Sequence, residues 1–166
     1  MSVPLAARIV AELARRGERV ALAESLTGGL LTSALVDIPG ASAVVSGGVV
    51  AYATPLKTAL LGVDPELLAE RGAIDPDVAA QMAGGVRHRF ALDGVPASFG
   101  LATTGAAGPE PQDGQSPGTV WVALADEEGT IRTEHVLIVG DRAVVRSEAV
   151  RAALGLLAER LGIPAE

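Results

Sequence analysis

Cysteine is absent from the chain. That excludes a thiol nucleophile, a disulfide framework, and any zinc or iron–sulfur site held by thiolates. Aromatic residues are nearly absent too, at 2% against a hydrophobic share of 49%. The core must therefore be packed from Ala, Val, Leu and Ile, and few rings remain to stack on bases. Basic residues are outnumbered, 13 Lys and Arg against 20 Asp and Glu, for a net charge of -7. Nucleic acids and anionic membranes are both recognised mainly through Lys and Arg, so neither is an expected partner. Charges interrupt every apolar run before it reaches spanning length, and no basic stretch leads into an apolar leader. A cytoplasmic protein of one domain, residues 1–166, is expected, long enough to bury a core without staples.

What is present alternates. Val3 to Arg16 carries Leu5, Ile9 and Leu13 on one helical stripe and ends at Gly17. Arg19 to Ala23 reads as a short buried strand, followed by a helix ending near Asp37 before the Pro39-Gly40 breaker. Val44 to Tyr52 reads as a strand in which Gly47 and Gly48 imply a bulge or a close ligand approach. Asp64-Pro65 and Asp75-Pro76 each pair an N-cap with a first-turn proline and should open helices, the second running to about Phe90. Ala97 to Thr103 is a third strand, Val120 to Ala125 with Ile131 to Val139 a hairpin, and Asp141 to Leu161 a final helix. This order predicts an α/β protein, a three-layer α/β/α sandwich with a mixed β-sheet.

Ala23-Glu24-Ser25-Leu26-Thr27-Gly28-Gly29 stands at the first strand-to-helix junction. The first amides of a helix lack partners within it and attract anions, so such a junction can hold a phosphate or a developing oxyanion. Ser25 stands at its mouth, and Gly28 and Gly29 would let a ligand reach the backbone. Taken alone, the segment reads equally well as a helix cap. Two further features lie at the same sheet edge. Thr104 to Gly118 is a long irregular loop after a strand, the usual position of a ligand site in an open α/β sheet.

The second feature is the pair Tyr52 and Lys57, the only tyrosine and the only lysine. An arginine keeps its proton, whereas a desolvated lysine can release its own near neutral pH and serve as a base. Tyr52 could relay a proton or orient the lysine. A single pair of this kind is more often a surface lysine beside a half-buried tyrosine. His88 and His135 are isolated and read as structural or exposed, and Trp121 reads as core.

Together these residues resemble a known family. Glu24-Ser25-Leu26-Thr27-Gly28-Gly29, Gly47-Gly48-Val49-Val50-Ala51-Tyr52 with Lys57, and Leu61-Gly62-Val63 are followed in order by Gly72-Ala73 and Thr104-Gly105-Ala106-Ala107-Gly108-Pro109. Pro117-Gly118-Thr119-Val120 and Gly140-Asp141-Arg142 with Arg146 complete the series. The chain is thereby similar to the C-terminal domain family of the competence/damage-inducible protein CinA, whose active members are nicotinamide-mononucleotide amidohydrolases. The resemblance covers nearly the whole chain. It implies hydrolysis of the carboxamide of nicotinamide mononucleotide to nicotinic acid mononucleotide and ammonia, with Ser25 as nucleophile, Lys57 as base and Tyr52 as a supporting hydroxyl. The chain departs from the family pattern at Leu26, where cysteine is common, and at Ala53-Thr54, where Ser-Asn is common. The second departure leaves open a catalytically silent nucleotide-binding or assembly module of the same fold.

For that chemistry the amides of Thr27 to Gly29 are the expected oxyanion donors, and Arg142 and Arg146, four apart on one helix face, the expected phosphate clamp. Thr104, Gly105, Ala106 and Gly108 could add a nest of amides for phosphate or ribose, Gly48 a close approach, and Glu24 an orienting carboxylate. No metal and no cofactor is required. The expected partners are a small-molecule nucleotide substrate and further copies of the chain, as a homo-oligomer.

Overall fold

The computed structural model describes residues 3–129 and 131–164. Helix α1 spans Leu5–Arg16 and ends at Gly17 in the left-handed conformation. Strand β1, Val20–Glu24, leads through the 25–29 turn into helix α2, Leu30–Val36. After a single 3-10 turn, Ala41–Ala43, comes strand β2, Val45–Val50. Helices α3, Thr54–Leu61, α4, Pro65–Arg71, and α5, Pro76–Arg89, follow. Asp64 and Asp75 cap α4 and α5 by accepting backbone N–H bonds, and each helix has its proline in the first turn. Strand β3, Phe99–Gly105, and the hairpin β4, Thr119–Asp126, and β5, Ile131–Leu137, precede helix α6, Arg142–Arg160.

The five strands are ordered β2-β1-β3-β4-β5. β1 is parallel to both β2 and β3, while β4 runs antiparallel to β3 and β5 antiparallel to β4. The chain leaves β1 through α2 for β2 on one side, then crosses back through α3 to α5 to reach β3 on the other. The helices of the two crossovers lie on opposite faces of the sheet, giving the three-layer α/β/α sandwich with a mixed sheet. β1 is thus the switch point of the parallel strands, and the crevice for ligands in such sheets lies beyond its carboxyl end. The bulge expected at Gly47-Gly48 falls one residue earlier, because Val20 pairs with Val45 but Ala21 with Gly47, leaving Ser46 as the extra residue.

The two faces of the sheet are built differently. Toward α1, α2 and α6 point Val20, Leu22, Phe99, Leu101, Val120, Val122 and Leu124. Toward α5 point Ala21, Ala23, Ala102, Ala123 and Ala125, with Trp121 only partly buried at the margin. Small residues on that second face admit a helix backbone. A Cβ on Gly100 of β3 would lie 1.9 Å from the Ala83 carbonyl oxygen of α5, and one on Gly85 of α5 would lie 1.9 Å from the Leu61 carbonyl oxygen of α3. This close approach is how a chain with few aromatics still fills its interior. Gly100→Ala is expected to lower the free energy of unfolding by about 1–3 kcal/mol, because the methyl can enter only if α5 moves away. Urea denaturation of the variant checks this.

Candidate functional site

Ser25, Ala51 and Ala106 each follow the carboxyl end of a parallel strand, so three chain turns meet at one edge of the sheet. Ser25 keeps its register there by donating its amide to the Thr103 carbonyl at 3.1 Å, while the Ala51 amide bonds to the Glu24 carbonyl at 2.9 Å. Lys57 enters from α3, on the Ala-rich face. Its side chain is 1% exposed, and Nζ donates to Ser25 Oγ at 3.1 Å and to the Ala51 carbonyl at 2.8 Å. Burial pulls the ammonium down from its ordinary value of 10.5 to about 8, with the Asp113 carboxylate acting in the opposite direction. The single lysine thus has its buried amine within hydrogen-bond reach of a serine hydroxyl, the geometry that activation of a hydroxyl by a base requires.

Glu24 organises the turn that carries Ser25. Its side chain is fully buried, and Oε2 accepts from the amides of Gly29 and Leu31 at 3.0 Å each. Oε1 accepts from the Thr32 amide at 2.8 Å and the Thr32 hydroxyl at 2.6 Å. Glu24 is thereby an orienting carboxylate of the turn, and its oxygens, both filled by the start of α2, are not turned to a ligand. The same bonds revise the oxyanion donors expected at Gly28 and Gly29. The Gly29 amide is held by Glu24 and the Gly28 amide by the Ser25 carbonyl at 3.1 Å. In the 25–29 turn, the amides of Leu26 and Thr27 donate to no described residue. Thr27 itself is buried, with its hydroxyl 2.8 Å from that of Thr103.

The other expected residues divide. Gly48 faces Thr32, whose Oγ1 would be 2.2 Å from a Cβ there, so its small size serves packing of α2 against β2 and not ligand approach. Thr104 donates its hydroxyl to the Ala73 carbonyl at 2.7 Å, and the Ala106 amide bonds to the Thr119 carbonyl at 2.9 Å. Both groups are taken up by neighbouring parts of the fold, the α4–α5 connection and the start of β4. Tyr52 is 56% exposed and does not meet Lys57; its hydroxyl accepts from Arg142 at 3.0 Å. The lysine is oriented by the Ala51 carbonyl instead. Arg142 also donates to the Gly108 carbonyl at 2.9 Å, joining α6 to the 106–118 loop across the mouth of the site. Arg146 is turned inward, with Nε 2.9 Å from the Leu26 carbonyl and Nη2 3.1 Å from that of Thr27.

A cleft of about 60 Å³ lies at this edge, lined by Ser25, Leu26, Tyr52, Gly105, Ala107, Gln112 and Arg142. Gln112 and Asp113 are the site residues missing from the sequence reading. Both belong to a small turn in the 106–118 loop, where Gln112 and Gln115 bridge and Asp113 and Gly114 take positive φ angles of 50° and 74°. Asp-Gly between bridging residues is the sequence signal of such a turn. Asp113 Oδ2 accepts from the Ala73 amide at 2.9 Å, tying the loop down beside Lys57. A larger groove of about 470 Å³ between α3 and α4 is lined by Thr54, Pro55, Thr58, Ala59, Pro65, Leu68 and Ala69, none of them titratable. His88 and His135 are exposed, His135 lying against Trp121, and the described residues contain no group of three or more metal-ligating side chains. Among the described residues no helix is long and apolar enough to cross a membrane.

A family model for the CinA C-terminal domain matches residues 2–161. A CinA-like protein of Frankia casuarinae is 48% identical over 153 residues, 92% of this chain and 34% of the relative. One from an Anaeromyxobacter species is 50% identical over 154 residues, covering 92% of this chain and 36% of its own length. The chain thus spans about a third of the length of the curated relatives it matches. Among solved structures, the competence/damage inducible protein CihA from Agrobacterium tumefaciens superposes with a TM-score of 0.88 at 36% identity, covering 98% of this chain and 99% of its own. A CinA superfamily protein from Klebsiella pneumoniae gives 0.87 at 36% identity, covering 95% and 96%.

Two stability measurements follow from the buried charges. Glu24→Gln replaces one acceptor oxygen with an amide NH₂ that confronts N–H donors, and is expected to cost about 2–4 kcal/mol in urea denaturation. Lys57 has a folded pKa of about 8, below its unfolded value near 10.5, so between these values the unfolded chain binds more protons and folding gains as pH rises. Wild type is therefore expected to gain stability relative to Lys57→Met as pH increases from about 8 to 10.5, read as the change in the difference between their urea midpoints.

Proposed function

Because this chain belongs to the CinA C-terminal domain family, we propose that it hydrolyses the carboxamide of nicotinamide mononucleotide to nicotinic acid mononucleotide and ammonia, as part of pyridine-nucleotide recycling. The observation that carries the reading is the buried Lys57 amine 3.1 Å from Ser25 Oγ. A carboxamide resists attack, so its hydrolysis calls for an activated nucleophile, a proton for the departing nitrogen, and donors for the tetrahedral oxygen. With a pKa lowered to about 8, on the order of a tenth of the lysine is neutral at pH 7 and able to accept a proton.

In this mechanism neutral Lys57 takes the hydroxyl proton as Ser25 Oγ bonds to the carboxamide carbon, and the carbonyl electron pair moves onto oxygen. Collapse breaks the C–N bond, Lys57 returns the proton to the leaving nitrogen, and ammonia departs from a Ser25 acyl ester. Water then attacks the ester, again giving its proton to Lys57. The acid leaves as Ser25 Oγ regains a proton. One amide and one water become one acid and one ammonia, and the lysine ends as it began. The narrow cleft suits a planar carboxamide, and Arg142 at its mouth supplies a cation for the phosphate. Tyr52 contributes by fixing Arg142, to which its hydroxyl is bonded.

Ammonia release from nicotinamide mononucleotide is the test. Ser25→Ala and Lys57→Met are each expected to reduce kcat by at least about 10²-fold. In wild type, kcat/KM should rise with pH through a single ionisation near 8, since the base is the unprotonated amine. Mononucleotide binding detected as thermal stabilisation without ammonia would instead identify a silent binding module, and full activity of either variant would remove that residue from the mechanism.

A further inference from the structure

Arg146 stands on α6 four residues beyond Arg142, but the two guanidiniums have different surroundings. Arg142 is exposed at the mouth of the cleft. Arg146 reaches inward by Nε to the Leu26 carbonyl and by Nη2 to the Thr27 carbonyl, at 2.9 and 3.1 Å. These are the two peptide oxygens immediately following the Ser25–Leu26 peptide. Its Nη2 would also lie 3.2 Å from a Cβ at Gly28, whose φ is +59°, so the guanidinium packs closely against the back of the turn.

We propose that Arg146 is a positioning residue which, by gripping the Leu26 and Thr27 carbonyls, fixes the turn after Ser25 and holds the amide of Thr27, beside that of Leu26, ready to receive the tetrahedral oxyanion. Peptide geometry connects the two ends. In a trans peptide the C=O and N–H point in opposite directions, so a guanidinium fixed on the Leu26 oxygen fixes the direction of the Thr27 N–H. The Leu26 amide is next in the chain after the nucleophile, and Leu26 lines the cleft beside Ser25. The remaining amides at the start of α2 are already spent: Gly28 on Ser25, Gly29, Leu31 and Thr32 on Glu24, and Leu30 on the Thr27 carbonyl at 3.1 Å. Glu24 therefore holds the turn from the α2 side and Arg146 from the α6 side, leaving two N–H groups between them with no acceptor among the described residues. The two carbonyl bonds engage Nε and Nη2 of Arg146, the edge of the guanidinium turned to the 25–29 turn.

The role rests on the serine-hydrolase reading but not on the substrate, and the experiment separates the two. A fluorophosphonate probe reports directly on Ser25: Oγ bonds to phosphorus, fluoride leaves, and the hydroxyl proton passes to Lys57, while the phosphoryl oxygen occupies the oxyanion position. Labelling of folded wild type is measured beside Arg146→Gln, Arg146→Lys, Arg142→Gln and, as a blank, Ser25→Ala. Arg146→Gln is expected to slow labelling by about 10–100-fold, and Arg146→Lys to regain part of that loss, since an ammonium can meet one carbonyl better than two. On nicotinamide mononucleotide and on its phosphate-free riboside, Arg146→Gln should lower kcat by the same factor with KM within about twofold. Arg142→Gln should instead raise KM for the mononucleotide alone. Unchanged labelling in Arg146→Gln, or a loss confined to KM for the phosphorylated substrate, would overturn the role. So would a folded wild type that is not labelled at all. If Arg146→Gln unfolds, the labelling rate of Arg146→Lys decides by the same criteria. Slowed labelling in a protein whose wild type releases no ammonia from nicotinamide mononucleotide would leave the positioning role standing and remove the substrate.

Discussion

A single buried carboxylate holds the turn on which the site is built. Glu24 ends β1, the middle of the three parallel strands, and its two oxygens accept four hydrogen bonds from Gly29, Leu31 and Thr32, the last by both its amide and its hydroxyl. An unpaired carboxylate in that interior would be costly, and so would unpartnered amides at a buried helix start. Each problem solves the other. The consequence is geometric: α2 is locked to the end of β1 by the residue just before Ser25, and the intervening turn is left with little freedom. A helix start that could have received an outside anion already contains one of its own.

The composition of the sheet faces then explains why the lysine can be buried at all. On the α5 side the strands present alanine and glycine, so helix backbones come close enough for Gly85 and Gly100 to allow no Cβ. α3 belongs to that side, and its Lys57 lies within the packed layer, where among the described residues its hydrogen-bond partners are Ser25 Oγ and the Ala51 carbonyl. Burial without a bonded carboxylate lowers the ammonium toward neutrality, while Asp113, anchored on the Ala73 amide, limits how far it falls. The 106–118 loop, irregular in sequence, thus has two duties. It walls the cleft through Gln112 and sets part of the electrostatics at the lysine through Asp113.

Much of this fold was legible because its signals are local. Asp-Pro pairs opened α4 and α5 where expected, and Gly17 closed α1. The run Ala97 to Thr103 overlaps β3, which starts at Phe99 and extends to Gly105 because Thr104 and Gly105 pair with Trp121 and Val120. The nearness of Ser25 and Lys57 was also within reach, since a lone lysine just past the end of one parallel strand can face a serine at the end of its neighbour. The partners of each polar group were not legible. Tyr52 was expected beside the lysine but bonds to Arg142, a residue 90 positions away. Arg142 and Arg146 share helical spacing, so the sequence paired them, whereas the fold points one outward and one into the turn.

What the sequence by itself determined was the order of elements, the small-residue face, the isolation of one lysine among arginines, and the junction that carries Ser25. These depend on residue type and short spacing, which are properties of neighbours along the chain. Only the tertiary structure decided which amides are free. That allocation depends on Glu24 satisfying α2 and on Arg146, about 120 residues downstream, satisfying the carbonyls of Leu26 and Thr27. A hydrogen bond is made by whichever group arrives within about 3 Å with the right alignment, and arrival across such separations is fixed by how the layers pack.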